Sequence, residues 1–203
     1  GSVAWLKERC GLLTASRMAD AMAFLKGGKE AEARKKYKIE LIAERLTDSM
    51  VSRFVNDAMQ WGTEQEPHAR ARYEEVTGEL VQLCGFAIHG DIPCFGASPD
   101  GLIGEDGLIE IKCPTSETYT GWMIGGVVPP QHIPQMLAQL AVTGRRFVDF
   151  FAFDPRVKVS THQHFLRRYE PAEGEIAVVE DAARSFLAEV DELFDRVTRQ
   201  EVM

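Results

Sequence analysis

Apolar residues recur along this 203-residue chain at two periods, and the change between them marks its elements. Ile176, Val179, Ala183, Phe186, Val190, Leu193 and Val197 stand three or four apart, the stripe of one long helix turned to a core. Residues 146–153 are instead aromatic and β-prone, and 157–169 alternate well enough to form the partner strand; His162 and His164, two apart, then share a face and read as surface or packing residues. Residues 131–143 predict a helix with Pro134 in its first turn, where proline is tolerated. His132, Gln135 and Gln139 give that helix a polar face, for which solvent is the simplest neighbour. Residues 116–124 predict a short helix, and Gly125-Gly-Val-Val-Pro-Pro a loop.

Earlier in the chain, residues 54–77 are helical in composition, although Gly62 and Pro67 are poor choices inside a helix, the proline costing about 3 kcal/mol away from a first turn. Two breakers flanking Glu66 point either to a plain kink or to a backbone shaped around that carboxylate. Residues 26–38 are rich in Lys and Arg and lead into a helix with Tyr37, Leu41 and Ile42 on its apolar side; the basic run reads as a solvated face, with contact to DNA the alternative. Its Gly-Gly-Lys lacks the spacing and the preceding strand of a phosphate-binding loop. Residues 81–88 predict a strand. At the N-terminus a short helix from Trp5 breaks at Gly11, and a second begins near Thr14. That Thr cap, with Arg9 and Ser16 close by, is either an ordinary cap beside a surface arginine or a seat for phosphate.

The most informative stretch is Phe95-Gly-Ala-Ser-Pro-Asp-Gly-Leu-Ile-Gly-Glu-Asp-Gly-Leu-Ile-Glu-Ile-Lys-Cys-Pro114, which predicts a strand, a turn at Glu105-Asp-Gly107, and a strand over 108–113. Asp-Gly between apolar runs is a hairpin signal because both residues tolerate positive φ. On the second strand Ile109, Ile111 and Cys113 face one way, and Glu110 and Lys112 the other. Two carboxylates and an ammonium on an apolar hairpin are costly to desolvate unless paired or metal-bound. Asp100, Glu110 and the Ile111 carbonyl suit Mg2+, which takes a few hard oxygens and keeps the rest of its shell for water and phosphate. Lys112 would stabilise charge on the attacked phosphate or hold the attacking water, and Glu66 would complete a second metal site or orient water.

Composition narrows the class. A 45% hydrophobic content supports one globular α/β domain over 1–203 with a substantial core. No apolar run reaches the roughly 18 residues of a membrane span, no signal-peptide pattern opens the chain, and four dispersed cysteines read as reduced thiols, so a cytoplasmic location is expected. A net charge of −8 argues against indiscriminate polyanion binding but leaves room for a local basic surface.

The wording around Ser98-Pro-Asp-Gly … Leu-Ile-Glu-Ile-Lys-Cys-Pro resembles the PD-(D/E)XK nuclease signature, in the form found in phage lambda exonuclease and the YqaJ-like viral recombinase family. Trp5-Leu-Lys-Glu-Arg-Cys-Gly-Leu-Leu-Thr-Ala-Ser, Trp61-Gly-Thr-Glu-Gln-Glu, and Pro134-Gln135 through Ala141-Val-Thr-Gly are similar to that family's other motifs, in the same order. The resemblance implies a restriction-endonuclease-like core, a mixed β-sheet flanked by helices. It implies Asp100, Glu110 and the Ile111 carbonyl as ligands of Mg2+ (two ions, with Mn2+ able to substitute), Lys112 as the catalytic lysine, Glu66 and Gln135 as further active-site residues, and Arg9, Ser16 and Ser98 as contacts to a DNA 5′-phosphate. The implied activity is a 5′-to-3′ exonuclease on double-stranded DNA ends, working as a homotrimeric ring with a single-strand annealing protein. An endonuclease or repair nuclease on the same core, or an inert DNA-binding or assembly module, are the alternatives. Two departures stand out: His132 occupies the place of a tyrosine in phage lambda exonuclease, and Pro67 directly follows Glu66.

Overall fold

The computed structural model describes residues 7–50 and 57–199. Two sheets organise it. The larger has five strands in the order β2 (Val81–Gln82), β5 (Gly101–Ile103), β6 (Gly107–Lys112), β7 (Phe147–Phe153) and β8 (His164–Tyr169). β6 and β7 are parallel, and the other neighbours are antiparallel. The smaller has the order β1 (Leu13–Thr14), β4 (Phe95–Ala97), β3 (Ala87–Ile88). The helices are α1 (Met18–Ala21), α2 (Glu32–Thr47), α3 (Asp57–Thr77), α4 (Ser116–Gly125), α5 (Ile133–Thr143) and α6 (Glu175–Thr198). This is a mixed α/β fold with mixed sheets flanked by helices.

β6 is covered on both faces, as a strand in a parallel pair requires. Leu108 packs with Tyr119 of α4 and Met136 and Leu140 of α5, while Ile109 and Ile111 pack with Ala69 and Tyr73 of α3. The period-2 alternation read from the sequence therefore sorts β6 between α5 and α3. A third cluster joins Val179, Ala183, Phe186 and Val190 of α6 to Tyr37 and Leu41 of α2 and Phe95 of β4. The apolar stripe of α6 ends before Val197, which is 44% exposed.

Several expectations change in detail. The strand expected over 81–88 divides: β2 joins one sheet and β3 the other. The turn uses Gly104, at φ +50°, for its left-handed residue, and Gly107 already belongs to β6. A Cβ at Gly107 would lie 2.3 Å from the ring of Phe147, so this glycine serves close packing, not turn geometry. His162 ends a short 3-10 turn (Ser160–His162) and does not share a strand with His164, which stacks on Phe151. The start of the helix expected from Trp5 lies outside the described residues, as does the opening of the 54–77 helix; residues 8–11 form a turn. That turn is clamped by α2: Gly11, at φ +70°, donates its N–H to Glu44 Oε2 (2.9 Å), and its carbonyl accepts from Arg45 Nε (3.0 Å).

The basic run at 26–38 is not simply a solvated face. Arg34 is 2% exposed and donates to the Ala21 carbonyl, Glu30 and Glu189, and Lys38 pairs with the same two carboxylates. Hydrogen bonds from Arg34 lead in holding Glu189 below the ordinary carboxylate value of 4.5; burial raises Glu30, but Lys38 and Arg34 outweigh it and hold that carboxylate low as well. A carboxylate with a depressed folded pKa stabilises the fold above its unfolded pKa and loses that contribution as pH falls through the folded value. Thermal stability is therefore expected to hold down to about pH 5 and to fall below it, with Glu189→Gln showing a lower plateau and a shallower acid limb in melting curves.

Candidate active site

β6 ends beside a cleft of 490 Å3 lined by Arg9, Ser16, Glu66, Ser98, Asp100, Glu110, Ile111, Lys112 and Gln135, with Met59, Trp122 and Cys113 at its walls. All nine positions singled out from the sequence meet there. Two larger surface hollows lie elsewhere, one beside Arg145, Arg146 and Arg168 and one along β2, and neither contains this set.

The topology explains the convergence. The chain leaves the smaller sheet at Ala97 and enters the larger at Gly101, so Ser98 and Asp100 sit at the joint between sheets. Asp100 is pinned there because its Oδ2 accepts the Ile111 N–H at 2.6 Å. β1 runs parallel to β4 and brings Arg9 and Ser16 to the same edge. Arg9 lies over the ring of Phe86, 5.3 Å from its centroid, and Ser16 shares a hydroxyl contact of 3.3 Å with Thr14. α3 supplies Glu66, whose Oε1 accepts from Arg70 one turn later at 2.5 Å. Pro67 falls in the middle of α3, where it withholds the N–H that the Thr63 carbonyl would otherwise accept.

Glu110 is 1% exposed and accepts three side-chain hydrogen bonds. Lys112 Nζ and Gln135 Nε2 donate to its Oε1, the latter at 2.7 Å, and Gln139 Nε2 donates to its Oε2 at 2.6 Å. The polar face of α5 therefore meets a buried carboxylate, not solvent. Gln139 belongs to this cluster and was not singled out from the sequence; its i, i+4 spacing from Gln135 was the available signal, but its partner lies on a strand 29 residues away. His132 packs in the wall behind. Its ring stacks on Phe150 and meets Trp122 edge-on, both at 5.3 Å between centroids. Burial, reinforced by Lys112, pushes its pKa down to about 4, so the imidazole is neutral at neutral pH.

The electrostatics carry a deficit of positive charge. Burial and then the Glu110 carboxylate push Asp100 well above the usual aspartate range, against the opposing pull of Lys112 and the Ile111 N–H. Burial pulls Lys112 down, but Glu110 and Asp100 outweigh it and keep the ammonium protonated. Two acidic side chains crowd one desolvated site with Lys112 bonded to only one of them, and a hard divalent cation would relieve that repulsion. Among the described residues no three His, Cys, Asp or Glu side chains close on one point. Two carboxylates and a backbone carbonyl suit Mg2+, which leaves most positions to water and phosphate oxygens. Burial pushes the Cys113 thiol up to about 12, and a hard cation such as Mg2+ prefers the oxygen ligands beside it.

Residues 4–146 match the family described as YqaJ-like viral recombinase domain. The fold superimposes on the alkaline exonuclease LHK-Exo from Laribacter hongkongensis with a TM-score of 0.90 and 43% identity, over 98% of this chain and 97% of that one. A second structure, LHK-Exo in complex with dAMP, gives a TM-score of 0.91 at the same identity and coverage. A phage-related exonuclease from Haemophilus somnus 129PT, 12% identical, shares the fold with a TM-score of 0.70 over 92% of this chain and 96% of that one. No curated protein matches. No helix among the described residues is long and apolar enough to cross a membrane.

Proposed function

The chain belongs to the YqaJ-like viral recombinase family, and from that premise we propose that it is a Mg2+-dependent exonuclease. On this reading it degrades one strand of double-stranded DNA from a 5′-phosphorylated end to mononucleotides and leaves 3′ single-stranded tails for strand annealing. The observation that carries the proposal is the meeting of all nine positions in one cleft. The similarity to an alkaline exonuclease whose complex holds dAMP, a mononucleotide, supports it further.

Each residue then has a chemical task. Asp100, Glu110 and the Ile111 carbonyl would hold Mg2+, which when bound neutralises phosphate charge and lowers the pKa of a coordinated water. Lys112 keeps its proton between the two acids, so it orients the attacking water and offsets charge developing on the phosphate. Gln135 borders the cleft and its amide hydrogen can pass from Glu110 to a substrate oxygen. Glu66, held by Arg70, positions water on the opposite wall. Arg9, Ser16 and Ser98 present a guanidinium and two hydroxyls, a donor set matched to a terminal phosphate.

A closed homotrimeric ring and a single-strand annealing partner complete the proposal. Enclosure would let a chain of net charge −8 stay on DNA with only a locally basic channel. With Mg2+ present, a linear duplex bearing 5′-phosphates should be degraded rapidly, its 5′-hydroxyl counterpart slowly, and a covalently closed circle not at all. Cutting of the intact circle would overturn the exonuclease reading in favour of an endonuclease. A monomer in light scattering at working concentration would remove the ring.

A further inference from the structure

Gln139 is the one member of the Glu110 cluster that a substrate in the cleft does not reach. It is 1% exposed, and its neighbours Met136, Leu137, Ala138 and Leu140 are buried apolar residues. A carboxylate only accepts, so the Gln139 amide must face Glu110 through nitrogen. That arrangement leaves its own Oε1 buried without a hydrogen-bond partner. An orphaned buried carbonyl costs stability, and methionine would fill the same volume without that cost. Packing therefore does not explain a glutamine here, whereas its 2.6 Å bond to Glu110 Oε2 does.

The two oxygens of Glu110 are held differently. Lys112 and Gln135, both bordering the cleft, donate to Oε1, and Gln139 donates to Oε2 from within the core. The terminal torsion of a glutamate is broad and roughly two-fold, so an anchor on one oxygen fixes the plane of the group. We infer that Gln139 is a positioning residue that locks the Glu110 carboxylate with Oε1 toward the cleft. Gln135 is then the exchangeable amide, free to turn to substrate without releasing the carboxylate. This inference rests on reading Glu110 as a cation ligand.

The test separates the two glutamines. Titration of the DNA-free protein with Mn2+, followed by electron paramagnetic resonance of the free ion, should show Gln139→Met weakening metal affinity about 10- to 100-fold, the range for outer partners of metal-bound carboxylates. Gln135→Met should bind Mn2+ close to wild type. In cleavage assays Gln139→Met should recover as Mg2+ is raised, while Gln135→Met stays slow at any Mg2+ concentration. Should methionine fail to fold at 139, Gln139→Asn keeps a buried amide but falls one methylene short, and carries the same expectation. Unchanged Mn2+ affinity in a folded Gln139 variant would overturn the role given to this residue. No Mn2+ uptake by the unsubstituted protein would instead overturn the cation reading beneath it.

Discussion

Lys112→Ala should lower DNA cleavage by on the order of 10^3-fold while the fold stays intact, because the lysine is proposed to act on charge that develops only during reaction. Its side chain lies at the exposed end of β6, 28% accessible, and its ammonium is bonded to Glu110. Truncation leaves Gln135 and Gln139 on that carboxylate and removes no apolar packing from the three core clusters. The protein should therefore give an unaltered circular dichroism spectrum. Lys112→Arg should rescue little, since a planar fork cannot replace a compact ammonium bonded to the buried Glu110 carboxylate. Single-turnover cleavage of a 5′-phosphorylated duplex at saturating Mg2+ is the measurement. A rate within tenfold of wild type would remove Lys112 from the chemistry.

The largest effect on stability is expected at Arg168. Asp149, 2% exposed in the middle of β7, accepts two hydrogen bonds from Arg168 of β8 at 2.8 and 2.9 Å and one from the Tyr73 hydroxyl of α3 at 2.7 Å. The Arg168 guanidinium also covers the ring of Phe147, 3.7 Å from its centroid. Burial and the Asp149 carboxylate together push the Tyr73 hydroxyl far above the usual tyrosine range, so it remains a donor at any working pH. Arg168→Ala would leave a buried carboxylate held by one neutral hydroxyl. Breaking such a pair costs about 3–5 kcal/mol, and the low end, roughly 3 kcal/mol, applies because Arg168 is itself 48% exposed. For a chain of this size the melting temperature should drop by roughly 6–12 °C. Adding Asp149→Asn should recover part of the loss by removing the charge. A drop under about 0.5 kcal/mol in denaturant titrations would mean that solvent already compensates Asp149. Tyr73 lies two turns after Glu66 on α3, so the same variant should also loosen the wall that presents Glu66.

The features legible in the sequence were those carried by short-range spacing. Alternation over 108–113 was enough to send Glu110 and Lys112 to one face and Ile109 and Ile111 to the other, and the structure keeps that division. The helix at 131–143 was legible because Pro134 marks a first turn, and Gly144 does close it in the left-handed region. The features that failed depend on distant partners. Arg34 looked solvated because Glu189 stands 155 residues later. Gln139 looked solvated for the same reason. The only local sign that the strand at 81–88 divides is Gly85, which lies in the gap; the pairing of β2 with β5 and of β3 with β4 decides it. Gly107 looked like a turn residue until the ring of Phe147 filled the space beside it. The family resemblance brought Arg9, Ser16 and Ser98 together, where local chemistry alone left an arginine beside a cap.

The division of labour between the two sheets bears on product length. Arg9 and Ser16 flank β1 and Ser98 follows β4 of the smaller sheet, whereas Glu110, Ile111 and Lys112 ride on β6 of the larger. If the first group grips the terminal phosphate and the second cuts, the spacing between sheets acts as a ruler. The step along DNA is then set by protein backbone geometry and is blind to base identity. The three residues 98–100 are the hinge pin of that ruler. Because Ser98 and Asp100 both lie in this joint, lengthening it by a residue should disturb the phosphate grip and the metal carboxylate together and lower cleavage.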